Sequence, residues 1–184
     1  MIYGTKYWGP KVWYMLHSFS TNNNLKILEK RKHNYYLFYT TLLHIIPCKE
    51  CSDHYEKIIY EINPIEEQNI KRKYMVKWVY DTHNIVNGLL DKKRFIYKKC
   101  KEKYCKIDNE KIFMTINILI NSIDFENISL MKYDNIYNFF IQFCKLYPDK
   151  TIRTNLKEVL KSNHFHKIKT PKQFKIWFNE YFLN

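Results

Sequence analysis

A chain of 184 residues with 46% hydrophobic and 17% aromatic side chains carries enough apolar mass for a full packed domain, which excludes wholesale disorder. Only 3 Gly and 5 Pro occur, too little turn punctuation for a many-stranded β fold, so long helices are expected. The net charge of +13 admits a polyanion such as nucleic acid. However, only 4 of the 31 basic residues are Arg, alanine is absent, and Lys, Asn, Ile and Tyr are abundant. That bias reads as codon pressure spreading Lys over solvated faces, so nucleic acid is not the favoured partner.

In chain order, Gly9-Pro10 reads as a helix entry, with Pro10 at the first helical position and Val12, Leu16 and Phe19 at helical spacing up to about Ser20. Asn22-Asn23-Asn24 breaks the pattern. A second helix is predicted from about Leu25 to Ile45, ended by Pro47. A third opens at Cys48 and carries Cys51, Tyr55, Ile58 and Ile59, and Asn63-Pro64 separates it from a fourth running from about Glu66 to Leu90. Residues 91–106 are basic, hold two Cys, and read as a loop or short helix at the end of a bundle. Beyond them, Tyr133 to Tyr147 reads as a helix stopped by Pro148, and Thr170-Pro171-Lys172-Gln173 as a capping box opening a last helix. The expected organisation is a reactive domain over 1–106 and a helical module over 107–184. No apolar stretch long enough to span a membrane occurs, and the N-terminus has no signal-peptide pattern.

Five cysteines without a secretory signal point to redox or metal chemistry rather than a disulfide scaffold. Pro47-Cys48-Lys49-Glu50-Cys51, followed by His54, puts two sulfurs within one turn at a helix start, where unpaired N–H groups favour a thiolate. The competing reading is half a zinc site, completed by His54 or by Cys100 and Cys105, in a basic helical protein that binds nucleic acid. Trp78, His83, Asn84, Val86 and Asn87 share one helix, with His83 and Asn87 on one face; Trp13 and His17 repeat that four-residue spacing near the N-terminus. Mid-helix Asn is disfavoured, so these groups suggest a ligand with hydrogen-bonding edges and a flat aromatic face. Cys144 sits in an apolar run and reads as a buried inert thiol, with an intersubunit disulfide as the alternative.

Three motifs in this order, W-x-x-L-H, P-C-x-x-C-x-x-H and W-x4-H-N-x-V-N, resemble the Erv/ALR family of FAD-linked sulfhydryl oxidases over about residues 8–92. The leading Trp8-Gly9-Pro10 resembles members from large DNA viruses. The resemblance implies an all-α four-helix bundle, with a short fifth helix, wrapped around FAD. It makes Cys48 and Cys51 the catalytic pair, with Cys51 beside the flavin and Cys48 facing incoming thiols. It assigns flavin contacts to Trp13, His17, Cys51, His54, Trp78, His83, Asn84, Val86 and Asn87, with Lys92 near the phosphates and no bound metal. Ile46 stands where the family commonly has Tyr, and Lys11 where an Arg is frequent. Cys100 and Cys105 form a C-x4-C read either as a shuttle disulfide, to which the reading leans, or as a structural staple. The implied activity makes disulfides in protein dithiols and reduces oxygen to hydrogen peroxide, in a homodimer working in host cytoplasm and virions.

Overall fold

The computed structural model describes residues 4–22 and 28–182, and the regular elements among the described residues are all helical, without strands. The N-terminal half holds α1 (Thr5–Thr21), α2 (Lys32–Thr41), α3 (Lys49–Lys57), α4 (Arg72–Leu89) and the short α5 (Tyr97–Tyr104). The C-terminal half holds α6 (Asn109–Asn121), α7 (Leu130–Leu146), α8 (Lys150–Lys161), the single turn α9 (Asn163–His166) and α10 (Pro171–Phe182).

Several boundaries differ from the sequence reading, each for a local reason. Helix α1 starts at Thr5 with Gly4 as its extended N-cap, so Pro10 lies inside the helix and not at its first position. Gly9 in front of it has no Cβ to clash with the proline ring, which lets the helix run through. The predicted break at Asn22–Asn24 and start at Leu25 fall largely on residues 23–27, outside the described residues. Arg31, at φ −136° and ψ 31°, delays α2 to Lys32; its guanidinium donates to the Lys145 carbonyl. Lys71 and Ile70 are extended, so α4 begins at Arg72 rather than near Glu66, and fully buried Ile70 anchors the turn ahead of it. The Thr170–Gln173 capping box forms as read, the Gln173 amide donating to Thr170 Oγ1 (3.2 Å) and the Gln173 side-chain oxygen accepting from the Thr170 amide (3.1 Å).

Helix α1 is the hub, packing against α4, α5 and α6, while α2 packs along α7. One continuous apolar core results. Phe19 of α1 stacks on Phe38 of α2 at 4.6 Å between ring centres, and Phe38 stacks on Phe139 of α7 at 5.0 Å. Phe19 also meets Phe143 and Tyr147, so the core runs unbroken across the boundary expected at 106. The boundary itself is clasped to α1: Tyr14 OH donates to the Lys106 carbonyl (2.9 Å) and accepts from the Asp108 amide (2.8 Å).

Offset and edge-on aromatic contacts contribute beyond area burial, and truncating a buried Phe leaves a cavity its neighbours fill poorly. Phe38→Ala is therefore expected to cost about 3–5 kcal/mol in chemical denaturation. Because Phe38 touches both halves, helical circular dichroism and tryptophan fluorescence should shift together in one transition; two separated transitions would mark the halves as independent units.

Candidate functional site

Helix α3 opens on Cys48, which is its N-cap: φ −99° and ψ 117° place it just outside the helix, and its sulfur accepts the Cys51 amide at 3.3 Å. Both sulfurs are free and half-buried. The pair is asymmetric. Burial first, then the hydrogen bond and charge of Cys48, push the Cys51 thiol up to about 12, so the helix N-terminus does not make Cys51 a ready thiolate. His54 is exposed, with no side-chain hydrogen bond to either cysteine.

Two tyrosine hydroxyls lock this helix to α1. Tyr55 OH donates to the Tyr39 carbonyl (3.0 Å), and Tyr39 OH donates to the Leu16 carbonyl (3.0 Å), the residue before His17. Burial holds both phenols well above their usual range, so they stay neutral donors at any working pH. Trp78 belongs to the same wall. It is buried edge-on to Tyr39, and its indole N–H donates to the Asn63 carbonyl at 2.8 Å.

A second cluster sits between α1, α4 and α5. Trp13 lies flat on His83, 4.1 Å between ring centres and 4° from parallel. His17 Nε2 is 3.0 Å from His83 Nδ1, and the other face of His17 stacks on Tyr104 at 4.2 Å and 6°. Cys100 Sγ is 3.4 Å from His17 Nδ1. Burial is the main cause that lowers His17 to about 3, with His83 and Lys103 adding to it; burial, then Lys103 and Lys92, lower His83 to about 4. Both imidazoles are therefore neutral, and they stand in the positive field of two lysines.

The last turn of α4 fixes the remaining groups. Asp91, the one non-glycine residue with positive φ (51°) among those described, ends the helix in a Schellman arrangement. The Lys92 amide donates to the Asn87 carbonyl (2.8 Å) and the Asp91 amide to the Gly88 carbonyl (3.2 Å). Lys92 is thereby tied to Asn87, and both half-buried Val86 and Asn87 lie on that turn. Asn84 clamps the returning chain: its amide oxygen accepts the Phe95 amide (2.7 Å) and its nitrogen donates to the Phe95 carbonyl (3.2 Å).

Of the residues singled out from sequence, Trp13, His17 and His83 meet directly, while Asn84 and Trp78 hold the walls. Cys100 and Cys105 do not meet. Cys100 is fully buried on His17, whereas Cys105 is exposed and its thiol donates to the Glu102 carbonyl. Five residue steps in helical geometry separate the two α-carbons by about 7.5 Å along the axis, beyond disulfide reach. Either the shuttle or the staple would require the end of α5 to unwind. Tyr104, Phe95 and Lys103 were not singled out, although Tyr97, Cys100 and Tyr104 recur at helical spacing within the basic segment. Cys144 is fully buried. Among the described residues no group of three or more His, Cys, Asp or Glu side chains gathers as a metal site, and no helix is long and apolar enough to cross a membrane.

These surroundings suit a flat, anionic cofactor: Trp13 and two neutral imidazoles offer aromatic faces and uncharged hydrogen-bonding edges, and Lys92 and Lys103 oppose phosphate charge. Two outcomes follow for the flavin-free chain. Cys51 alkylation, followed by tandem mass spectrometry, should rise about tenfold per pH unit from pH 7 to 10 without levelling, because its thiol stays protonated there. Stability should fall with acid. Above about 6.5 neither folded nor unfolded chain protonates His17 or His83; below it the unfolded chain binds protons that the folded chain refuses until about 4 and 3. Urea midpoints should therefore drop steadily from pH 6.5 to 4, and His17→Gln should flatten that slope.

Comparison with known proteins agrees with this geometry. The profile of the Erv1 / Alr family matches residues 10–105. A probable FAD-linked sulfhydryl oxidase of Acanthamoeba polyphaga mimivirus is 28% identical over 95 residues, 52% of this chain and 66% of that protein. The mitochondrial FAD-linked sulfhydryl oxidase ERV1 of Saccharomyces cerevisiae is 31% identical over 87 residues, 47% of this chain and 44% of that protein. An FAD-linked sulfhydryl oxidase ERV1 of Arabidopsis thaliana is 26% identical over 103 residues, 56% of this chain and 52% of that protein. The matched region thus spans from under half to about two thirds of these relatives. No solved structure matches the chain. The family profile covers residues 10–105, the half that carries the cysteine pair and the histidine cluster: the chain belongs to the Erv1 / Alr family.

Proposed function

We propose that the protein is an FAD-dependent sulfhydryl oxidase, converting protein dithiols to disulfides and oxygen to hydrogen peroxide. The observation that carries this reading is the stack of Trp13 on His83 beside neutral His17, in the field of Lys92 and Lys103. Trp13, His17, His83, Val86, Asn87 and Lys92 would hold the cofactor, with Trp78 and Asn84 fixing the helices around it. Bound FAD would take two electrons from a dithiol and deliver them to oxygen.

The residues of the chain divide the rest of the work. The asymmetry of the pair supports Cys48 as the outward sulfur. A substrate thiolate attacks Cys48 of the Cys48–Cys51 disulfide; the sulfur–sulfur bond breaks, and Cys51 leaves with the electron pair. A second substrate thiolate then attacks its partner sulfur in the mixed disulfide, which frees Cys48 and releases the product disulfide. With no cation lowering its pKa, Cys51 is a poor leaving group on its own. The chain therefore makes exchange favourable only where an electron acceptor takes up that sulfur's charge. Buried neutral His83, paired with His17 through Nδ1, can offer its other ring nitrogen to a flavin edge without adding a competing charge.

The roles of residues 107–184 and of self-association belong to the same proposal. The family resemblance supports a homodimer, and Leu130 and Met131, each 73% exposed at the start of α7, give the second half an apolar surface. The similarity to a mimivirus protein and the codon-like bias support a place in viral factories and virions.

The purified chain should be yellow. Its flavin absorbance should bleach under anaerobic dithiothreitol and return in air with stoichiometric peroxide. Cys51→Ser should keep FAD bound while reducing turnover to background. A colourless protein that binds zinc through Cys48 and Cys51 would refute the proposal.

A further inference from the structure

The chain from Leu89 to Lys99 leaves the bundle at the end of α4, turns back, and opens α5. Only Phe95 and Tyr97 in this stretch are half-buried; every other residue is exposed. The projecting lobe is nevertheless fixed in shape. The left-handed turn at Asp91 reverses the chain, and the Leu90 amide donates to the Val86 and Asn87 carbonyls (3.2 Å each). The two bonds between Asn84 and Phe95 close its base.

Two kinds of side chain stand on the lobe. Leu89, Leu90 and Ile96 are 54%, 55% and 58% exposed, so each leaves apolar surface in water whose burial would be favourable. Beside them are the exposed cations Lys93, Arg94, Lys98 and Lys99, none of which is ion-paired among the described residues. Asp91 is the one acid in the stretch.

A partner for such a surface has to present negative charge over an apolar layer. An anionic lipid leaflet does so: its headgroups meet Lys and Arg, and the acyl boundary just beneath takes up aliphatic side chains. The composition separates this partner from other polyanions. Nucleic-acid recognition uses Arg forks and aromatic stacking, and protein interfaces are enriched in aromatic residues and Arg but poor in Lys. Here Arg94 is the single Arg, and both aromatic rings turn inward, Phe95 edge-on to Tyr104 and Tyr97 edge-on to Tyr80. The fixed backbone also lets the lobe meet a surface with little ordering cost.

We propose that this lobe is a membrane-surface docking element. Leu89, Leu90 and Ile96 enter the headgroup layer of an anionic leaflet, while Lys93, Arg94, Lys98 and Lys99 meet its lipid phosphates and carboxylates. The association is peripheral and reversible, and no helix among the described residues spans a membrane. Lys92 is left to the proposed cofactor site. The inference stands apart from the oxidase reading, and its test reads neither flavin nor turnover.

Flotation of the full-length chain with lipid vesicles tests it. Phosphatidylcholine vesicles with about 30% phosphatidylserine should carry the protein at low salt, and physiological salt should weaken binding about tenfold. Vesicles of phosphatidylcholine alone should not carry it. Lys98→Gln with Lys99→Gln should weaken binding about thirtyfold, at about fivefold per charge. Leu90→Ser with Ile96→Ser should weaken it about tenfold, with circular dichroism unchanged. Equal binding to neutral vesicles overturns the proposal. So does a loss in the lysine variant with none in the Leu90 and Ile96 variant, which would reduce the contact to adsorption of a basic protein. Tighter binding of a single-stranded oligonucleotide at the same salt, undisturbed by Leu90→Ser with Ile96→Ser, would give the lobe to nucleic acid. A concentration-dependent dimer broken by those two substitutions, without vesicle binding, would give it to a second copy of the chain. Either result overturns the proposal.

Discussion

The contact between His17 and His83 sets the terms for everything around it. The two rings come from different helices, and they approach to 3.0 Å in a setting too dry for either to carry charge. A neutral pair at that distance shares a single bridging proton, so it needs one ring to donate and the other to accept. It also needs flat neighbours to stop the rings from turning. Trp13 supplies one such neighbour and Tyr104 the other. The side chains of Thr21 and Asn22 hold Tyr104 in place through its carbonyl, and Asn84 holds Phe95, which leads into the same short helix. What looks like separate features of three helices is one packing problem.

The C-terminal half supports that solution from behind. Helix α1 presents its histidine side to α4 and α5 and its Phe19 side to α2 and α7. Any slippage of α7 would be felt through Phe38 and Phe19 on the helix that carries Trp13 and His17. Tyr14 adds a polar clasp at the same junction by holding the backbone on both sides of Ile107. The two halves differ in chemical content, but they share one interior.

The helical class, the cysteine pair at a helix start and the Trp13–His17 spacing were legible in the sequence, because each depends on spacing within a single helix; that His83 meets Trp13 and His17 from another helix was not. The Thr170 capping box was readable for the same reason. The start of α4 was not, since Ile70 is held extended by burial against elements distant in sequence, and local spacing carries no trace of that. The surroundings of Cys100 were hidden for a related reason. Its nearest cysteine in sequence is Cys105, but the helix turns the two apart, and its sulfur packs on His17, 83 residues away. The clamp of Asn84 on Phe95 was not legible, because Phe95 is brought back only by the left-handed turn at Asp91.

The tyrosine hydroxyls bolt α3 to α2, and α2 to α1, which opposes swinging of the cysteine helix. A polypeptide that exchanges sulfur with Cys48 must bring its own thiol to a stationary anvil. Rigid visitors with recessed cysteines are poorly matched to such a surface. On the oxidase proposal, slack segments, loose tails and chains still short of their final shape would thread a thiol to it, so the stiffness of the host would select for pliancy in the guest.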